Sequence, residues 1–105
     1  MNPFGGGDPR KLMKQLQQAQ QRIQEEIAAL SIEATAGGGM VKVTMDGQKN
    51  LTTLSIDKEA VDPEDVEMLQ DLVLAAVNEA ARKVDEAIQQ KVGGLTGGLK
   101  LPGVG

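Results

Sequence analysis

Residues 37–56, GGGMVKVTMDGQKNLTTLSI, decide the fold. From Met40 to Asp46 the side chains alternate: Val41, Val43 and Met45 point one way, Lys42 and Thr44 the other. A period of two is the mark of a half-buried strand. Asp46-Gly47 is a hairpin signal. Beyond it, Leu51–Ile56 (LTTLSI) is Thr-rich, which suits a strand, and sets Leu54 and Ile56 on the buried face. Gly37-Gly38-Gly39 reads as a turn. The segment before it, Ser31–Ala36, is short and alternating, with Ile32 and Ala34 on one face. Three short strands joined by glycine-containing turns predict an antiparallel meander.

Outward from the meander the period changes. Asp8-Pro9 is a helix start, with Asp8 as N-cap and Pro9 at the first helical position. Leu12, Leu16, Ala19 and Ile23 then follow at alternating steps of four and three, a helix seam that continues through Ile27 to Leu30. A helix of about 22 residues is roughly 33 Å long. After the meander, Asp62-Pro63-Glu64-Asp65 predicts a second helix with Asp62 as cap and Pro63 in its first position. Its seam is Val66, Leu69, Leu72, Val73, Ala76, Val77, Ala80, Val84, Ala87 and Ile88, and Gly93-Gly94 is expected to end it. The expected organisation is a leader over 1–7, one helix–sheet–helix domain over 8–92, and a Gly-rich mobile tail over 93–105. The fold class is α+β, with α-β-β-β-α order and two long helices projecting from the sheet.

Composition narrows the chemistry. The chain has 105 residues, with no Cys, His, Trp or Tyr and a single Phe, Phe4. Without His and Cys, most hydrolytic triads and transition-metal sites are gone. Carboxylates and lysines need a desolvated pocket to become catalytic groups, and a core without aromatic residues offers little room for one. Asp57, Glu59, Asp62, Glu64 and Asp65 match no EF-hand spacing. Gly37-Gly38-Gly39 lacks the Lys-Ser/Thr of a P-loop and opens no helix. The expectation is a chain that is not an enzyme and has no cofactor, metal or small-molecule substrate. Nothing in it reads as a membrane segment, and the expected location is cytoplasmic. So small a domain, with neither disulfide nor metal staple, is expected to bury further apolar surface against a second copy.

Charge is unevenly spread. Net charge is −4. Residues 1–22 carry Arg10, Lys11, Lys14 and Arg22 against Asp8, a net of +3. Residues 80–105 carry Arg82, Lys83, Lys91 and Lys100 against Asp85 and Glu86, a net of +2, and the middle is strongly acidic. If both helices outreach the sheet, the start of the first and the end of the second meet at one outer end, and the basic residues meet there. Lys14, Gln18 and Arg22 share a face at i, i+4 spacing. Basic side chains at a helix C-terminus also suit the macrodipole, whereas Arg10 and Lys11 in a first turn oppose it. From charge alone, a phosphate-binding surface and an ordinary solvated helix face both stay open.

Five stretches, LMKQLQQAQ (12–20), GGGMVKVTMDG (37–47), LSID (54–57), DLVLAAVNEAARK (71–83) and GGLKLPG (97–103), together resemble the YbaB/EbfC family of bacterial nucleoid-associated proteins. The resemblance spans nearly the whole chain. It implies an intertwined homodimer in which the strands of two subunits form a common sheet and helices project like the arms of tweezers. It also implies binding to duplex DNA, with bridging or bending, and a place in the nucleoid. The family has no base-reading motif that transfers residue by residue. The expected DNA-binding set therefore rests on charge geometry: Arg10, Lys11, Lys14, Arg22, Arg82, Lys83 and Lys91. The expected dimer interface is Val41, Val43, Leu54, Ile56, Leu69 and Leu72. With no aromatic side chain near the basic residues, base stacking is not available, so single strands are disfavoured and sequence preference is expected to be weak. The alternative is a protein–protein adaptor that docks its helical arms on a partner.

Overall fold

Asp8 and Pro9 start the first helix. In the computed structural model, which describes residues 8–95, α1 runs Pro9–Ala28. The Asp8 carboxylate accepts from the Arg10 backbone N–H at 2.9 Å, as an N-cap should. The helix closes at Ala29, whose N–H bonds the Glu25 carbonyl, so the seam residue Leu30 falls just outside it. The chain then enters the sheet at once: β1 is Ser31–Ala36, β2 Val41–Asp46 and β3 Leu51–Ile56, in the order β1-β2-β3 with antiparallel pairing throughout. A short 3-10 turn over Lys58–Ala60 follows, and then α2, Val66–Leu95. This is the α+β, helix–meander–helix order that the sequence predicts.

Both ends of α2 differ from the expectation. Asp62 does not cap it. The Asp62 carboxylate instead accepts from Glu64 N–H, and its carbonyl accepts from Asp65 N–H, closing a separate turn with Pro63 inside it. Pro at the second position of such a turn is well placed. Asp65 then takes the cap, accepting from Met68 N–H at 3.2 Å. At the other end the helix runs through Gly93 and Gly94 to Leu95. Each glycine costs about 1 kcal/mol relative to alanine, too little to stop a helix already long and nucleated. The leader 1–7 and residues 96–105 of the expected tail lie outside the described residues.

The β2–β3 connection also departs from a simple two-residue hairpin. Lys49 N–H bonds the Asp46 carbonyl and Asp46 N–H bonds the Asn50 carbonyl, while Lys49 takes the left-handed conformation at φ 66°. Pairing runs Val41↔Ile56, Val43↔Leu54 and Thr44↔Thr53, then shifts so that Met45 faces Leu51. The shift leaves Thr52 as the extra residue of a bulge.

The core lies between the sheet and α2. Ala34, Val41, Val43 and Met45 meet Ala76, Ala80 and Val84, with Ile32, Leu69, Leu72, Val73, Val77 and Ile88 packed around them. Small residues on α2 let its backbone come close to the strands. Val41, Val43 and Val84 are the largest fully buried side chains, and each contributes about 1.5–3 kcal/mol by burial. α2 covers β1 and β2 but leaves β3 aside. Leu54 and Ile56 point to the same side as Val43 and Val41, their cross-strand partners. Even so, Leu54 is 50% and Ile56 37% exposed. The expectation that they are buried is therefore not met within one chain: their face is the apolar one, but α2 packs chiefly on β1 and β2 and only flanks it at Ile56.

Candidate nucleic-acid interface

α1 leaves the body as an arm. The described chain has a radius of gyration of 20.9 Å and measures 78 × 30 × 15 Å, against about 13 Å expected for a compact domain of this length. At the root of the arm, Lys91 of α2 lies 3.8 Å from Glu26, so the end of α2 runs back beside the last turns of α1. From Glu26 the arm continues to Arg10, about 24 Å farther at about 1.5 Å per residue, whereas Leu95 is only about 6 Å beyond Lys91. The two helix ends thus start toward the same side, and among the described residues α1 extends the farther.

Four basic residues sit on that arm: Arg10, Lys11, Lys14 and Arg22, all exposed. Among the described residues none of them forms an ion pair. At about 100° per residue, Arg10 and Lys14 lie about 160° and 200° around the helix from Leu12, while Lys11 and Arg22 lie on one flank, about 100° and 80° from it. The arm is therefore amphipathic, with an apolar seam on one side and a cationic face on the other.

The remaining three of the seven are placed differently. Arg82 is held by two carboxylates, Glu79 and Glu86. These bonds fix the charges: the hydrogen bond from Arg82 holds the Glu79 carboxyl below its ordinary range, and the bond to Glu79 raises the guanidinium above its own. Lys83 extends its Nζ to the Glu33 carbonyl oxygen at 3.3 Å, on the body of the molecule. Lys91 is drawn to Glu26. The structure gathers Arg10, Lys11, Lys14 and Arg22 on one surface and does not bring Arg82 and Lys83 to it. Lys42 and Lys49 also face carboxylates, Glu33 at 3.9 Å and Asp85 at 2.7 Å. A fixed guanidinium already neutralised by two carboxylates offers a phosphate little; a free one on a protruding helix offers a full charge.

Of the residues expected at a dimer interface, Val41 and Val43 are at 0% exposure in one chain. They belong to its own core and have no surface to present. Leu54 and Ile56 do. Leu69 is half-buried and lines a shallow groove with Ile56, Val73 and Leu74, rimmed by Glu67 and Asp71. Leu72 packs on the core, its side chain 2.8 Å from where a Cβ on Gly37 would lie. Leu51, Val61, Val66 and Leu74 are exposed as well. Sequence periodicity missed Leu51 because the bulge at Thr52 changes its side, and missed Leu74 because it lies just off the α2 seam.

A family model describing the YbaB/EbfC DNA-binding family matches residues 6–99. The chain belongs to this family. A nucleoid-associated protein of Pelotomaculum thermopropionicum is 53% identical over 94% of this chain and 97% of its own length. Another nucleoid-associated protein, from Moorella thermoacetica, is 51% identical over 95% of this chain and 99% of its own. Among solved structures, an uncharacterized protein of Helicobacter pylori is similar with a TM-score of 0.60 and 26% identity, covering 75% of this chain and 92% of that one. No helix among the described residues of this YbaB/EbfC chain is long and apolar enough to cross a membrane.

Proposed function

We propose that this chain is a nucleoid-associated protein that binds duplex DNA as a homodimer, gripping phosphates with the free cationic face of α1. The observation that carries the reading is the placement of Arg10, Lys11, Lys14 and Arg22, unpaired among the described residues, on one side of a helix that projects from an acidic body. The family and the names of its relatives point to the same ligand. Phosphate contacts position a protein on DNA but carry no base information. With no aromatic wedge on the arm, sequence preference is weak and comes through duplex shape. DNA as ligand puts the protein in the cytoplasm, at the nucleoid.

The homodimer reading is supported by β3. Among the described residues it is an edge strand, so one row of its backbone N–H and C=O groups has no strand beside it, and its apolar face, Leu51, Leu54 and Ile56, is exposed. A second copy meeting β3 and the neighbouring flank of α2 covers both, extends the sheet and presents two arms to one duplex.

Duplex binding measured by fluorescence anisotropy at ~50 and ~200 mM salt tests the reading. If both arms engage all four cations, about eight counterions are released and affinity falls roughly 10⁴-fold across that range. An affinity unchanged by salt would remove the cationic arm as the binding surface.

A further inference from the structure

Among the described residues, the outer part of the α1 seam is uncovered. Leu12, Met13 and Leu16 are 60%, 61% and 53% exposed. Lys91 of α2 meets α1 at Glu26, about 21 Å along the helix from Leu12, and α2 runs only about 6 Å farther, to Leu95. Three large apolar side chains on one stripe of a projecting helix call for a covering surface, and the seam itself indicates which. Leu12, Leu16, Ala19 and Ile23 are spaced four, three, four, which is symmetric about its midpoint. Laid antiparallel on a copy of itself, Leu16 meets Ala19 of the second arm and Leu12 meets Ile23, so large side chains face smaller or half-buried ones, as in knobs-into-holes packing. Charge selects the same direction. A parallel pair would set Arg10, Lys11 and Lys14 beside their own copies. The antiparallel pair sets Arg10 near Glu25 of the second arm and opposes the two helix dipoles.

We propose that the α1 seam, centred on Leu12, Met13, Leu16 and Ala19, is a second self-association surface that pairs antiparallel with the α1 seam of another dimer. Because Arg10 and Lys14 lie opposite the seams, with Lys11 and Arg22 on the flank, a paired set of arms presents its cations outward, toward two separate duplex segments. That last consequence rests on the DNA-binding reading above; the pairing does not. A few side chains fall short of the ~800 Å² per partner that stable interfaces bury. Pairing is therefore weak in free solution and strengthens where dimers are concentrated along DNA.

The chain contains no cysteine, so single introduced cysteines report the contact cleanly. Dimers carrying Leu16→Cys are mixed briefly with differently tagged dimers carrying Ala19→Cys, in the presence of duplex, and oxidised. Disulfide links between the two tags, forming several-fold faster than with Gln21→Cys in place of Ala19→Cys, support the pairing. Equal rates overturn it, as does protection of Leu16→Cys from a thiol reagent in dilute dimer without DNA, which would put another segment of the same dimer on the seam. In parallel, the triple variant Leu12→Gln, Met13→Gln, Leu16→Gln is expected to keep its far-ultraviolet circular dichroism and its affinity for a single duplex. Its capture of a second, labelled duplex by bead-bound duplex should be abolished. Full capture by this variant overturns the proposal. Cross-linking at 16 and 19 in a protein that binds no DNA would keep the pairing and reject the DNA reading instead.

Discussion

Gly47, at the tip of the β2–β3 hairpin, touches the Ile27 carbonyl oxygen at the root of α1: a Cβ on Gly47 would lie 2.0 Å from that oxygen. The hairpin and the end of the arm are thus joined backbone to backbone, with no room for a side chain. A second bond ties the same hairpin to α2, where Lys49 Nζ lies 2.7 Å from Asp85. The arm emerges from a fixed base.

Gly47→Ala tests that base. Its φ is not in the left-handed region, so the cost is steric and falls on backbone that has little freedom to move; about 2–3 kcal/mol of destabilisation is expected, at the upper end of overpacking. Gly38→Ala provides the contrast. Nothing lies near its Cβ position, but its φ is +67°, so only the conformational cost of about 1–2 kcal/mol applies. Urea unfolding of the two variants should rank Gly47→Ala as the less stable.

Neutralising Lys14 and Arg22 together, as Lys14→Gln and Arg22→Gln, should weaken duplex binding. It should also flatten the salt dependence, by about 0.9 in slope for each phosphate left without its cation. Neutralising Arg82 and Lys83 should change the slope far less, because Arg82 is already held by Glu79 and Glu86 and Lys83 by the Glu33 carbonyl. Anisotropy titrations at several salt concentrations compare the two pairs. Equal weakening would mean that the body shares the grip with the arm.

Leu54→Lys with Ile56→Lys places two charges on the open face of β3. Sedimentation equilibrium should then report the mass of one chain, 11.1 kDa, where the unsubstituted protein gives twice that. Val43→Ala, in the protomer core, should act otherwise: it costs about 2 kcal/mol through the cavity it leaves and keeps the dimer. A dimer that survives the two lysines would move the subunit contact away from β3.

Asp46 sets an acid limit on the hairpin. Its carboxylate accepts from the backbone N–H groups of Asn50 and Gln48, both at 2.9 Å, and from the Asn50 side chain. Led by the Asn50 backbone N–H, these bonds hold its pKa below the ordinary carboxylate value. The folded state thus binds this proton less readily than the unfolded chain does. The contribution is complete well above about pH 4, once an unfolded Asp is fully ionised, and is lost as pH falls through the lower folded value. Glu79, lowered by its bond to Arg82, acts in the same direction. Unfolding free energies from pH 6 down to pH 2 should therefore fall less steeply for Asp46→Asn than for the unsubstituted chain. An identical pH profile would show that the Asp46 cap adds nothing to acid sensitivity.

Local patterns in the sequence determined a good deal. Asp8-Pro9 marked the start of α1, the alternation of Val41, Val43 and Met45 marked the central strand and its inner face, and the Ala-rich seam from Ala76 to Val84 marked the side of α2 that meets it. Each of these depends on residues within a turn or two of one another, where periodicity and capping act directly. The basic residues of α1 were likewise visible as a face. Only the tertiary structure decided what stands opposite each face. It turned Lys83 to the body, because Glu33 comes from β1, whereas the partners of Arg82, Glu79 and Glu86, lie a turn away on the same helix, at spacings already present in the sequence. It moved the cap of α2 from Asp62 to Asp65, since both carboxylates suit the role and the turn around Pro63 chose between them. It gave Gly47 a purpose unrelated to hairpin dihedrals, through an oxygen twenty residues earlier in the chain. And among the described residues it left Leu54, Ile56, Leu12 and Leu16 exposed. An apolar pattern states that a face will be buried. Whether the chain's own helices reach it depends on where they sit over the sheet, which is settled by packing between segments far apart in sequence.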